Sequence, residues 1–166
     1  ENITFKNMTV TNTNDGFTPT YELDNGNGIC ICNAKVELFD VALKGCDDAG
    51  LRISPNSTSE TTVVATRCEF TNNSNCGASV SGSLSSATFN NCVFNENKYE
   101  GIEVFESTIH LHGDATAIHS NGTHGIKACY SGKVIIHLLS HHNTTYNNGQ
   151  DDRKTTNGGT ITNVED

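Results

Sequence analysis

Gly77, Gly101, Gly125 and Gly149 stand 24 residues apart (101−77, 125−101, 149−125), and the text around them recurs with them. The frame reads Cys68-Glu69-Phe70 up to Gly77-Ala78-Ser79-Val80, then Cys92-Val93-Phe94 up to Gly101-Ile102-Glu103-Val104, then Thr116-Ala117-Ile118 up to Gly125-Ile126-Lys127-Ala128. A fixed period of this length is the mark of stacked structural repeats. Stacking also answers a difficulty of composition. Only 34% of residues are hydrophobic and there is no Trp, which is thin for a globular core. A solenoid needs only a narrow apolar column, buried coil on coil.

Ahead of each glycine runs apolar-x-apolar-x-x-apolar-x-apolar: Ile3/Phe5/Met8/Val10, Val36/Leu38/Val41/Leu43, Val63/Ala65/Cys68/Phe70, Ala87/Phe89/Cys92/Phe94, Leu111/Gly113/Thr116/Ile118 and Ile135/His137/Ser140/His142. Alternation on both sides of a two-residue break predicts two short strands meeting at a bend. A third strand follows the glycine, as in Ile29/Ile31, Leu51/Ile53, Ala78/Val80, Ile102/Val104 and Ile126/Ala128. Three short strands per turn, each paired with its equivalent one turn on, make an all-β parallel β-helix of about six coils of roughly 24 residues, a single domain over residues 1–166.

The columns of that stack give further expectations. Asn73, Asn97 and Asn121 lie four residues before successive glycines, with Cys46 and Thr145 at the ends, and form an asparagine ladder. Two residues after the glycines come Arg52, Ser79, Glu103, Lys127 and Asp151, outward and alternating in sign over the last three. Cys68 and Cys92 share an inward column as small buried thiols, because in-register stacking aims their side chains in parallel rather than at each other. Cys46 and Cys76 fall in turns, and Cys30, Cys32 and Cys129 on outward positions. His110, His112 and His119 point outward, and His137, His141 and His142 gather on the sixth coil, His137 and His142 on nominally inward places. His141 and His142 face opposite sides of a strand and are poor joint ligands, and His137 with His142 reads as a satisfied or solvated pair ahead of a metal site, so none is assigned.

On these repeats the chain resembles the right-handed parallel β-helix superfamily, the pectate-lyase-like repeats, over essentially its whole length. Ile118-His-Ser-Asn-Gly through Gly158-Gly-Thr-Ile-Thr-Asn-Val-Glu-Asp166 is similar to uncharacterised β-helix repeat proteins of marine unicellular algae and their large DNA viruses. The superfamily likeness implies a right-handed coil and raises the question of polysaccharide cleavage or epimerisation. Fragments similar to the polygalacturonase set are present as Asn14-Asp15-Gly16, Asp47-Asp48 and His124-Gly125-Ile126-Lys127. Asp48 and His124, however, are three coils apart, roughly 14 Å along the stack and beyond proton-transfer reach. Glu100 and His124 occupy one column on adjacent coils. No catalytic set is assigned, and Asp48, Glu100 and His124 are the candidates.

Residues 11–27 form a long inserted loop in which Asp15, Phe17, Tyr21, Glu22 and Asp24 are the candidate ligand-binding residues: two aromatics for sugar stacking among three carboxylates. Asp24-Asn-Gly-Asn-Gly opens like a calcium loop but lacks the remaining ligand spacing, so no cofactor is assigned and calcium is the one ion left open. Sequons at Asn2, Asn7, Asn56, Asn72, Asn121 and Asn143 suit an extracellular or surface-exposed glycoprotein. A net charge of −9 without clustered Lys and Arg argues against nucleic acid. No apolar run reaches about 18 residues, which argues against a membrane span.

Both ends begin or stop directly at a strand, which reads as a segment of a longer protein or a coil that stacks end-on against further coils or another chain. The functional expectation is a non-catalytic module presenting an ordered surface to a polysaccharide or protein partner in a cell-surface or virion assembly. The alternative is a lyase, hydrolase or epimerase acting on uronate polymers.

Overall fold

The computed structural model describes residues 2–13, 26–54, 58–137 and 144–164. Every regular element in them is a strand. The first coils hold β1 (Asn2–Val10), β2 (Ile29–Ile31), β3 (Lys35–Lys44), β4 (Leu51–Ile53), β5 (Thr61–Thr66) and β6 (Glu69–Thr71). The middle coils hold β7 (Ala78–Ser81), β8 (Ser85–Asn90), β9 (Val93–Asn95), β10 (Ile102–Phe105), β11 (Thr108–His112) and β12 (Ala117–His119). The last hold β13 (Ile126–Cys129), β14 (Lys133–His137), β15 (Thr145–Tyr146), β16 (Arg153–Thr156) and β17 (Thr160–Asn163).

Each strand pairs in parallel with its counterpart one coil on, and two sheets result. The larger runs β15-β12-β9-β6-β3-β5-β8-β11-β14-β17, with β1 also on β3. It consists of two limbs joined through β3, whose first half pairs β5 and whose second half pairs β6 across the bend at Asp40. The smaller sheet runs β16-β13-β10-β7-β4-β2. Its six rungs enclose five complete turns, one fewer than the coil count expected from the sequence.

The bends are made by residues in the left-handed region. Asn7, Asp40, Arg67 and Asn91 form one such column, and Asn72, Glu96, Ser120 and Asn147 a second, just ahead of the ladder. Asn and Asp tolerate this conformation better than other L-residues, which explains the Asn content of the corners.

Inside, side chains pile in files. Leu43, Phe70, Phe94, Ile118 and Thr145 are successive rungs of one column. The rings of Phe70 and Phe94 stack 4.5 Å apart and 4° from parallel, and Phe89 closes on both edge-on. Aromatic pairs of this kind contribute about 0.5–1.5 kcal/mol each beyond their burial.

The ladder is longer than the 24-residue spacing predicts. Asn73 Nδ2 donates to Asn97 Oδ1, Asn97 to Asn121 and Asn121 to Asn148, each at 2.9 Å, while the same amides also donate to Leu43, Phe70 and Phe94 carbonyls. Asn148, and not Thr145, is the fourth rung, because the last turn is three residues longer (148−121 = 27). The same insertion displaces Gly149. It lies over Gly122, and Asp152 takes the place above Gly125.

Register differs in the first strand of the later coils as well. Ala87 pairs with Ile109 and not Leu111, and Leu111 with Ile136 and not Ile135. Ile135 and His137 therefore face outward, not inward, since a one-residue slip exchanges the two faces of a strand. Cys129, expected outside, is buried: the chain turns at once after it through Tyr130 and Ser131, both at positive φ, and its Sγ meets the Val104 carbonyl at 3.4 Å.

Candidate functional site

The residue just before the glycine column sits where the turn enters the smaller sheet, and its side chain lies beside the outward face of that sheet. On three successive coils it is Glu100, His124 and Asp151, as the backbone bonds from Gly77, Gly101 and Gly125 to their carbonyls establish. His124 is thus clasped between carboxylates. Its Nδ1 is 3.5 Å from Glu100 Oε1 and its Nε2 is 3.8 Å from Asp151 Oδ2. Neither approach is a hydrogen bond, and His124 Nδ1 is buried without such a partner.

Two lysines complete the cluster. Lys127 Nζ lies 2.9 Å from Glu103 Oε1 and 3.3 Å from Glu100 Oε1, and Lys154 Nζ lies 3.0 Å from Asp151 Oδ2. Burial pulls the Lys127 ammonium down, but the Glu103 and Glu100 carboxylates more than reverse this and hold it above its ordinary value. The hydrogen bond and charge of Lys154 lower the Asp151 carboxyl. Three carboxylates, Glu100, Glu103 and Asp151, face two ammonium groups. The outward column expected to end Glu103, Lys127, Asp151 ends instead in Lys154, the residue paired with Lys127. Asp151 stands one column aside, over His124.

Exposed tyrosines stand in the turns before and after the strands of this face. Tyr99, 44% exposed, sits next to Glu100 in the turn. Across the sheet, at the far end of β10, Phe105 packs against Tyr130, 50% exposed, with centroids 4.6 Å apart.

Asp48 stands apart from the cluster. It accepts a hydrogen bond from Asn75 Nδ2 at 2.6 Å and faces Arg52 at 3.8 Å. Glu100 and His124 are brought together; Asp48 joins neither. Asp15, Phe17, Tyr21, Glu22 and Asp24, together with the sequon residues Asn56 and Asn143, lie outside the described residues. Asn2, Asn7 and Asn72 are exposed. Asn121 is not, because its side-chain nitrogen is spent on Phe94 and Asn148 inside the ladder, and a glycan there would dismantle that rung. No disulfide joins the described cysteines. Among the described residues no helix is long and apolar enough to cross a membrane.

A second group is assembled by the register of the larger sheet. His110, His112 and His137 gather on the outer face of the larger sheet, one ring nitrogen of each within 4.8 Å of the other two. His112 and His137 are register partners. The signal was present as His-x-His followed by a third His one coil later, and the slipped register concealed it.

A family model described as a right-handed beta helix region matches residues 1–116. Neither a curated protein nor a solved structure matches the chain.

Proposed function

The chain belongs to the right-handed β-helix family, and from that membership we propose that it is a non-catalytic module whose outward face on the smaller sheet binds a polysaccharide, at a cell surface or in a virion assembly. One observation carries the reading: a charged face on paired strands, with an exposed tyrosine in the turn at either end of them. Tyr99 and Tyr130 supply flat apolar surfaces for the C–H faces of sugar rings, and the charges between them meet hydroxyl and carboxyl groups. The parallel rungs hold these groups at a fixed spacing of about 4.8 Å, so little ordering cost is left to binding.

An array of neutral and acidic polysaccharides tests this. Retention without turnover is expected, weakened about tenfold, some 1.4 kcal/mol, by Tyr99→Ala or by Tyr130→Asn, which keeps the left-handed backbone at position 130. Retention of proteins and no glycan would instead assign the face to a protein partner and overturn the polysaccharide reading.

A second reading rests on His124. An imidazole between Glu100 and Asp151, with one buried nitrogen lacking a hydrogen bond, has the components of a general base and its orienting groups. Turnover of pectate, alginate or another uronate polymer, with or without calcium, that is abolished by His124→Ala would make the protein an enzyme.

A further inference from the structure

His110 and His112 alternate with the buried Ile109 and Leu111 on β11, so both project from the outer face of the larger sheet. His137 on the next coil stands beside His112. Two residues apart along a strand and one rung apart across it are the two short spacings a parallel sheet offers, about 6.6 Å and 4.8 Å between backbones. Three imidazoles at those spacings describe a triangle, and their side chains bring the tips closer still. His110 Nδ1 and His137 Nε2 are 2.9 Å apart, and the His112 and His137 rings stack with centroids 4.0 Å apart.

We propose that His110, His112 and His137 form a binding site for a divalent transition-metal ion of the zinc class, with a fourth coordination position open to solvent. The donor set argues for the ion. It is all nitrogen, and the residues paired beside it, Thr88, Asn90 and Ile135, include no carboxylate. Calcium and magnesium take oxygen ligands, whereas imidazole suits zinc, copper and nickel. Three histidines and one open position is a recurrent zinc arrangement.

Coordination needs side-chain rotation, because the rings stack within 11–24° of parallel and turn their faces, not their lone pairs, toward one another. Tetrahedral coordination at about 2.0–2.1 Å places ligand nitrogens roughly 3.3 Å apart. The three rings must turn so that their in-plane lone pairs converge, a rotation about the soft terminal torsion of histidine. The His110 to His137 contact requires one nitrogen to carry a proton and the other to accept it. On coordination that proton moves to the distal nitrogen of the same ring, through solvent. A tautomer changes, and a neutral pair releases no net proton. The backbone that sets the spacing is already fixed, as β11 is held between β8 and β14. This site lies on the other sheet from the His124 cluster and is independent of the function proposed above.

Calorimetric titration of the chelator-treated full chain with Zn2+, with Ca2+ as a comparison, decides the matter. One equivalent of Zn2+ is expected, with binding weakened at least tenfold in each of His110→Ala, His112→Ala and His137→Ala, and no heat from Ca2+ at the same concentrations. Zn2+ binding that is absent, or that survives unchanged in all three variants, would overturn the site. Circular dichroism checks that each variant keeps its β-sheet signal. Should one unfold, Co2+ added to the unmodified chain still discriminates: visible bands of a tetrahedral nitrogen site support the proposal, and the unchanged spectrum of the aquo ion defeats it.

Discussion

Asn97 gives one amide hydrogen to Asn121 Oδ1 at 2.9 Å and its other bond to the Phe70 carbonyl at 3.0 Å, while its own oxygen accepts from the backbone and amide nitrogens of Asn73. Four hydrogen bonds thus meet on one buried side chain. Asn97→Ala would strand the Asn73 donors and the Phe70 carbonyl away from water, each at about 1–3 kcal/mol where no water enters. The expected loss is about 3 kcal/mol in urea unfolding at unchanged m-value, larger than for Ala at the exposed Asn72. A loss under 1 kcal/mol would mean that the ladder is decoration.

Gly101 stands one residue beyond Glu100, in the glycine column that lets coils approach. A Cβ there would sit 2.6 Å from Ile118 Cγ2, 2.7 Å from the Gly125 carbonyl oxygen and 2.8 Å from Asn121 Nδ2. All three are closer than van der Waals contact, and one belongs to the ladder. Gly101→Ala should therefore cost about 1–3 kcal/mol by overpacking, read again from unfolding midpoints. Because the strain is shared by two coils, the variant should also weaken any polysaccharide retention that depends on Tyr99 and Glu100.

How far the sequence was legible follows from these two columns. Glycine and asparagine announce themselves, since each meets a backbone demand few other residues satisfy, and the apolar files of Phe70, Phe94 and Ile118 repeat with a clean period. Register failed where that period changed. Between Ala87 and Ile109 the interval is 22, between Ile109 and Val134 it is 25, and from Asn121 to Asn148 it is 27. A constant step of 24 therefore carried His137 to the wrong face, Asp151 to the wrong column and Gly149 to the wrong rung. Glu100 and His124 survived because the coils between them keep the common period. Their third neighbour, Asp151, was hidden by the insertion that follows.

Asp40 and Arg67 meet on the outside of the first bend in a two-pronged contact, Nε to Oδ1 and Nη2 to Oδ2, both at 2.8 Å, with the guanidinium 4.2 Å over the Phe39 ring. The Arg67 hydrogen bonds and charge hold the Asp40 carboxyl below its ordinary value of 3.8. A lowered carboxyl stabilises the fold fully above the unfolded-state value, and this contribution is lost as pH falls through the lowered one. Asp40→Asn keeps the left-handed backbone at position 40 and removes only the charge. The melting temperatures of the two proteins should differ by a constant amount from neutral pH down to about 4, and the gap should close below that. Added salt should narrow it, because both groups are exposed. A gap that persists in acid would assign the effect to the amide and not to the charge.

Thiol chemistry reads the stack from inside. Of the seven cysteines, Cys30 and Cys32 are exposed, and Cys46, Cys68, Cys76, Cys92 and Cys129 are buried. Burial pushes the Cys76 thiol up, and the nearby Glu103, Glu100 and Asp48 carboxylates push it further; burial does the same to Cys46 and Cys129. The thiolate is the reactive form, so these groups are protected twice, by access and by protonation. A disulfide-exchange reagent should label two thiols quickly in the native protein and all seven in denaturant. The remaining five should react at least about a hundredfold more slowly, at a rate set by opening of the coils. Rapid labelling of a third thiol would locate a coil that opens without global unfolding, and rapid labelling of both Cys68 and Cys92 would contradict the packed column on which the fold rests.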